Sequence, residues 1–300
     1  MGSLNSSDMN LSILIPTFND DCTSLVHDLL AQAELIDGLS VEVLIGDDGS
    51  TDENVVGRLH ALSVLSHTQY IRREKNQGRA AIRNFLVRQA HYDRLLFIDS
   101  DMTVCRDDFL RKYLDTQGAL VYGGYIVGGD SRRLRHNLRY QYERHCEAAH
   151  HVDQRLLHPD RDFHTSNFLV DRQVMLSHPL DERFRHYGYE DVLWGKVLTQ
   201  EGFSIRHIDN PLSFATFEDN AAFVAKTEEG LHTLFIFRKD LSGYSHLLAL
   251  SEKWNHSPIG AALRLWHKWV GPWERKKLCG TNPSVPLLQL YKLGFFLSLY

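Results

Sequence analysis

DRLLFIDSD, residues 93–101, decides the architecture. Leu95 to Ile98 form a short apolar run suited to a buried strand, and Asp99-Ser100-Asp101 closes it with carboxylates at i and i+2. A strand apolar on both faces belongs in a sheet covered on both sides. The layout repeats upstream. LSILIPTF (11–18) runs into Asn19-Asp20-Asp21, and VEVLIGDDGS (41–50) ends in Gly46-Asp47-Asp48 and a turn. TQYIRR (68–73) reads as another short strand. Helix-patterned sequence separates them: Leu25, Leu29 and Leu30 recur at helical spacing, Asp52 caps a second helix, and a third runs from about Arg79 to Ala90. This alternation predicts an α/β fold with a mostly parallel central sheet flanked by helices. Three acidic strand tips would then share the sheet edge where open α/β sheets bind ligands. Asp and Asn favour turns anyway, so one tip alone carries little.

Outward from that core, the composition narrows the classes. The 300 residues are 43% apolar and 24% charged, which excludes collagenous, coiled-coil and wholly disordered chains. Lys and Arg number 33 against 38 Asp and Glu, a net charge of −5, so no dense basic footprint for nucleic acid exists. Cys22, Cys105, Cys146 and Cys279 form no CxxC pair and read as reduced thiols of a cytoplasmic protein. Residues 1–10 lack the layout of a secretory leader, and no apolar run approaches the ~18 residues of a membrane span. Val285 to Tyr300 comes nearest and is expected to lie on a membrane, not cross it. Trp266, Trp269 and Trp273 stand among Arg264, Lys268, Arg275, Lys276 and Lys277, which raises peripheral membrane contact against simple packing on the rest of the fold.

The middle of the chain carries further chemistry. ALVYGGYIVGG (119–129) has strand composition. SRRLRHNLRYQYERH (131–145) reads as a basic amphipathic helix with Leu134, Leu138 and Tyr142 four apart, either a solvated face or a positive wall for a diphosphate or an anionic membrane. FHTSNFLVDR (163–172) reads as turn then strand, residues 180–202 as loop then helix, and FSIRHIDNPL (203–212) as a strand, with helices after 216. In Tyr187-Gly188-Tyr189-Glu190-Asp191 the two acids open a helix. The helix dipole favours acids there for structural reasons alone, yet the same placement aims carboxylates into a cleft, where one could take a hydroxyl proton. The Asp99/Asp101 pair offers hard oxygens suited to Mn²⁺ or Mg²⁺ alongside substrate phosphates.

SILIPTFND (12–20), IGDDGSTD (45–52), NQGRAAIRN (76–84), FIDSDM (97–102), SNFLVDR (166–172), LDERFRHYGYED (180–191) and IDNP (208–211) follow one another in a particular order. In these segments the chain resembles the family 2 glycosyltransferases of GT-A fold that build bacterial surface polysaccharides. The resemblance implies a GT-A catalytic domain over 9–215, a flexible tail over 1–8 and a helical C-terminal extension over 216–300. It implies metal-dependent, inverting transfer from a nucleotide-sugar donor, a UDP-sugar first, to a glycan or lipid-linked acceptor. Pro16, Thr17 and Asp48 would meet the nucleotide base, Arg83 the base or ribose, and Ser100 would belong to the donor site. Asp99 would contact ribose and metal-bound water, and Asp101 the Mn²⁺ or Mg²⁺ itself. Ser166 and Asn167 would border the donor sugar. Asp191 would be the general base, with Glu190, Tyr189 and Trp194 on the acceptor side. Relatives often carry a His a few residues past the IDNP segment; here that slot is Phe214, with His207 and His232 as the substitutes to weigh. His150-His151 lack ligand spacing. The rival readings are a GT-A-like binding module that has lost catalysis, favoured by Phe214, and a sugar nucleotidyltransferase, disfavoured by the acidic turn after the first strand.

Overall fold

The computed structural model describes residues 9–300; the expected tail over 1–8 lies outside the described residues. The chain begins β1 (Met9–Thr17), α1 (Thr23–Glu34), β2 (Leu39–Asp47), α2 (Glu53–Ala61), β3 (Thr68–Arg72), α3 (Arg79–Gln89) and β4 (Arg94–Ile98). It continues with β5 (Met102–Thr103), α4 (Phe109–Leu114), β6 (Leu120–Tyr122), β7 (Tyr125–Val127), α5 (Leu138–Cys146), α6 (Val152–Arg155), β8 (Asn167–Asp171), α7 (Arg172–Ser177) and α8 (Glu190–Gln200). Then come β9 (Arg206–His207), β10 (Leu212–Phe214), α9 (Asn220–Ile236), α10 (His246–Trp254), α11 (Pro258–Leu278) and α12 (Val285–Ser298).

A seven-stranded sheet runs in the order β3-β2-β1-β4-β8-β6-β9. Its first four strands are parallel, as their apolar interiors require, while β8 lies antiparallel between β4 and β6. Alternation along β1 shows why no polar face exists: Ile13 and Ile15 join the core on one side, with α1 and α2, and Leu14 joins the core on the other, with Phe97, Phe168 and Trp194. In the chain-order connections the acidic tips of β1, β2 and β4 all fall at the carboxyl edge.

Two sequence expectations change. The basic helix of 131–145 forms only from Leu138, where the Asn137 side chain accepts from the Tyr140 amide. The preceding arginines sit in turns, two of whose amides donate to the Asp130 carboxylate. The strand expected over 203–212 breaks, and its far end becomes β10 in a second sheet of order β5-β10-β7. That small sheet pairs Phe214 with both Met102 and Val127, directly behind the Asp99–Asp101 turn. Helices α9 and α12 pack on each other, and both meet α5, the α12 contacts burying Leu288, Tyr291, Phe296 and Leu297. The apolar stretch from Val285 is therefore consumed by packing, not left to lie on a membrane.

Candidate active site

The tips of β4 and β8 are tied together where the Asp99 amide donates to the Ser166 carbonyl at 3.0 Å. Gly78 at φ +100 opens α3, and its amide and that of Gln77 donate to Asp48 Oδ2 at 2.9 and 3.0 Å. This clamp sets Arg79, the first residue of α3, over the acidic tip. Arg79 Nη2 donates to Asp99 Oδ2 at 3.0 Å, and its Nε donates to Glu190 Oε1 at 2.7 Å. One guanidinium thus joins the sheet edge to the start of α8. Arg83, one turn further and 1% exposed, donates to the other Asp99 oxygen and to the Arg79 carbonyl.

Before α8 the backbone takes an unusual path. Gly188 has φ +96 and Tyr189 φ +70, two successive left-handed residues, the second without a glycine's freedom. The turn backs onto α9, where a Cβ on Gly188 would lie 3.7 Å from Gly230 Cα. Glu190 and Asp191 are consequently delivered to a cavity of about 400 Å³ that Asp99, Asp101, Ser166 and Tyr189 also line.

The carboxylates there are held differently. Asp101 Oδ1 is buried without a hydrogen-bond partner. Burial, followed by the charge of Asp99, pushes the Asp101 carboxyl up to about 7. Burial also opposes ionisation of Asp191, but His164 Nδ1 lies 3.1 Å from its Oδ2 and the Val192 amide donates to Oδ1 at 2.8 Å. These contacts win and hold the Asp191 carboxyl below the usual range. His164 shows the reverse balance: burial works against its charge, and Asp191 overrides burial and raises its pKa. Nearby, Tyr125 Oη donates to Glu143 Oε2 at 3.0 Å and stands 2.8 Å from His150 Nε2. Burial and the neighbouring His164 and Arg155 push His150 down to about 3, so its ring is neutral.

The structure brings Asp99, Asp101, Ser166, Tyr189, Glu190 and Asp191 around one cavity. Pro16, Thr17, Asp48 and Ser100 sit on neighbouring strand tips but do not line it. Three expected site residues have other employment. Arg83 is buried behind Asp99 and reaches no open space. Asn167 is fully buried, donating to the carbonyls of Gly124 and Asn210 and accepting from Tyr113 Oη. Trp194 lies in the core, its indole donating to the His178 carbonyl at 2.7 Å and its rings packed on Phe163 and Phe168.

Neither proposed histidine substitute reaches the cavity. His207 is buried between Arg155 and the Pro159 carbonyl, and the His232 ring packs on Phe295. Phe214 does line the cavity, its ring under the Arg139 guanidinium and edge-on to Phe217. Arg79 and His164 join the site beyond the residues expected there, and His150, which lacks ligand spacing in the sequence, lines the cavity as well. Arg79 follows the helix-opening Gly78 in NQGRAAIRN, a usable signal, whereas His164, three residues before β8, carries none of its own. Among the described residues, no group of three or more His, Cys, Asp or Glu is arranged around a metal position.

Residues 12–178 match the family model described as Glycosyl transferase family 2. No curated protein matches the chain significantly. Among solved structures the chain is similar to the mannosyltransferase PcManGT from Pyrobaculum calidifontis in complex with GDP-Man and Mn²⁺, with TM-score 0.57 and 15% identity over 97% of this chain and 87% of that one. It is also similar to TarS 1-349 from S. aureus, with TM-score 0.51 and 14% identity over 97% and 90% of the two chains. At such identities the likeness is one of fold.

Proposed function

Because the chain belongs to glycosyl transferase family 2, we propose that it performs metal-dependent, inverting transfer of a sugar from a nucleotide-sugar donor, a UDP-sugar first, to a glycan or lipid-linked glycan of a surface polysaccharide. One observation carries this reading: Asp101, with a buried and unpartnered carboxylate oxygen, and Asp191, whose carboxylate is held ionised, line the same cavity. They answer the two needs of a single displacement at an anomeric carbon, a stabilised leaving group and a base for the incoming hydroxyl.

The residues at the sheet edge suit a divalent cation. Asp101 Oδ1 is buried with nothing to satisfy it, and the Asp101 carboxyl resists ionisation until positive charge arrives. Asp99 is committed to Arg79 and Arg83, so Asp101 would be the main protein ligand, with Asp99 beside it. That leaves most of the coordination to substrate phosphates and water, the habit of Mg²⁺ and Mn²⁺ in such sites. When bound, the ion neutralises charge developing on the diphosphate.

The chain's own residues would do the rest. Asp191 Oδ2 would accept the acceptor hydroxyl's proton, with His164 fixing the carboxylate. Glu190 keeps Oε2 buried and unpartnered beside the cavity, free to accept from an acceptor hydroxyl while Arg79 holds its other oxygen. Tyr189 lines the same wall. Phe214 cannot ligate a metal, so metal affinity in the absence of nucleotide should be low.

Peripheral membrane contact belongs to the same proposal. Helix α11 buries Gly260, Gly271, Glu274 and Leu278 and turns Leu265, Trp266, Trp269 and Trp273 outward, with Trp269 74% exposed. Lys276 and Lys277 extend that face, the composition of an interfacial helix. Co-sedimentation of the full chain with phosphatidylglycerol vesicles tests this; a triple Trp→Ser variant that partitions equally removes it.

Calorimetric titration of UDP and GDP, with and without Mn²⁺, tests the main reading. Mn²⁺-dependent binding of one nucleotide is expected. Failure of both nucleotides under every metal condition would overturn it and favour a binding module without catalysis.

A further inference from the structure

The cavity is lined by four cations, and three of them have protein acids to answer them. Arg79 is paired with Asp99 and Glu190, Arg139 Nη2 lies 2.8 Å from Glu143 Oε1, and Lys226 Nζ lies 3.5 Å from Glu218 Oε1. Lys292, on α12, is the exception. Among the described residues no carboxylate and no hydrogen-bond acceptor meets its amine; its neighbours are the Tyr142 ring, 5.1 Å away on α5, and the Cys146 thiol at the end of that helix. The lysine is half-buried, and an ammonium partly withdrawn from water is stabilised by whatever negative charge can reach it. Burial depresses its pKa accordingly. Arg139 adds a second unmet donor on the same wall, its Nε buried without a partner while its plane is held between the Phe214 and Phe223 rings.

The donor's own negative charge is already provided for elsewhere. On the transferase reading, on which this inference rests, the diphosphate belongs beside Asp99 and Asp101 on the sheet edge. Lys292 stands on the helical wall made by α5, α9 and α12, with Tyr142, Phe223 and Leu288 around it. We infer that this wall is an acceptor subsite whose Lys292 amine receives an anionic group, a phosphate or carboxylate carried by the acceptor sugar. A lone ammonium is a point charge without a fork, so it can serve either anion. The aromatic and aliphatic surroundings strengthen that contact by excluding water, and they offer flat faces to the sugar ring itself.

The test is competitive labelling of the full chain. The protein, held with Mg²⁺ and UDP to fill the donor side, is acetylated with acetic anhydride in the presence of glucose, glucose 6-phosphate or glucuronate, and each lysine is followed by peptide mass spectrometry. One or both charged sugars should slow acetylation of Lys292 about tenfold near saturation, with glucose leaving it unchanged. Exposed Lys239 and Lys253 serve as controls and should not respond. Equal labelling of Lys292 in all arms overturns the inference, as does equal protection by glucose, which would mean that the wall reads sugar and not charge. UDP calorimetry run in parallel separates the two readings. Absent UDP binding with Lys292 still protected would fell the transferase proposal and leave the anion subsite standing.

Discussion

The two walls of the cavity are built on opposite principles. On the sheet edge, polar groups restrain one another: Asp48 clamps the loop before α3, Arg79 spans Asp99 and Glu190, and Arg83 sits behind them with its charge spent on Asp99. On the helical wall, rings and alkyl chains dominate, and Lys292 meets an aromatic face and a thiol but no acid. The first wall is fixed before any ligand arrives, which suits chemistry that must be held to fractions of an ångström. The second pairs Arg139 with Glu143 and Lys226 with Glu218 and leaves Lys292 without an acid, so selectivity there rests on shape and that one unanswered charge.

If that contrast holds, damage to the first wall should be severe and specific. Asp191→Asn should lower transfer by ~10²–10⁴-fold, the usual worth of a general base, with nucleotide affinity unchanged by calorimetry. Transfer within tenfold of wild type would remove Asp191 from the role. Arg83→Met should be nearly as harmful, through stability: stripping a buried guanidinium from Asp99 costs about 3 kcal/mol, to be read in urea unfolding. An unchanged midpoint would mean that Asp99 finds its compensation in Arg79 alone.

Smaller effects sharpen the boundary between the walls. Trp194→Phe should destabilise by about 1–2 kcal/mol, through a lost hydrogen bond to His178 and a small void, while acceptor KM stays put. A rise in KM with stability intact would return Trp194 to the acceptor side. The mildest test is pH. Below the raised pKa of His164 its charge offsets that of Asp191 and weakens the base, so transfer should climb as pH rises through a value above the ordinary 6.5. His164→Gln keeps a donor without the charge and should move that limb to lower pH. Stability should run the other way: the pair's contribution is complete near pH 6, fades as pH rises through the His164 pKa, and fades again as falling pH protonates Asp191. A pH profile identical in the two proteins would leave His164 a packing residue only.

What the sequence disclosed follows the same division. Strands β1, β2 and β4 were legible because an apolar run that stops at acid has few other meanings, and the Tyr187–Asp191 turn was legible because Gly188 marks it. The second sheet was hidden. Strands of two or three residues such as β5 and β10 leave no periodicity to read, and the placement of Phe214 beside Met102 is settled by long-range pairing. Trp194 shares a helix face with Asp191 three positions earlier, and only the long-range packing of Phe163 and Phe168 against it shows that its ring belongs to the core. Nothing in the sequence sets His164 apart among 17 histidines, since only the fold brings it to Asp191, twenty-seven positions along the chain.

Gly188 and Gly230, touching back to back, have a consequence for engineering. A methyl on Gly230 would come to 3.5 Å from Tyr187 Cδ1, an ordinary contact, so alanine fits as the molecule stands. Anything bulkier has to shove the Tyr187–Asp191 turn forward into the cavity. The pair therefore acts as a hard stop behind the turn and as a dial in front of it. Side-chain size at position 230 offers a graded way to narrow the acceptor side of the cavity, and because Asp191 rides on the same turn, the rate of transfer should fall in step with the narrowing.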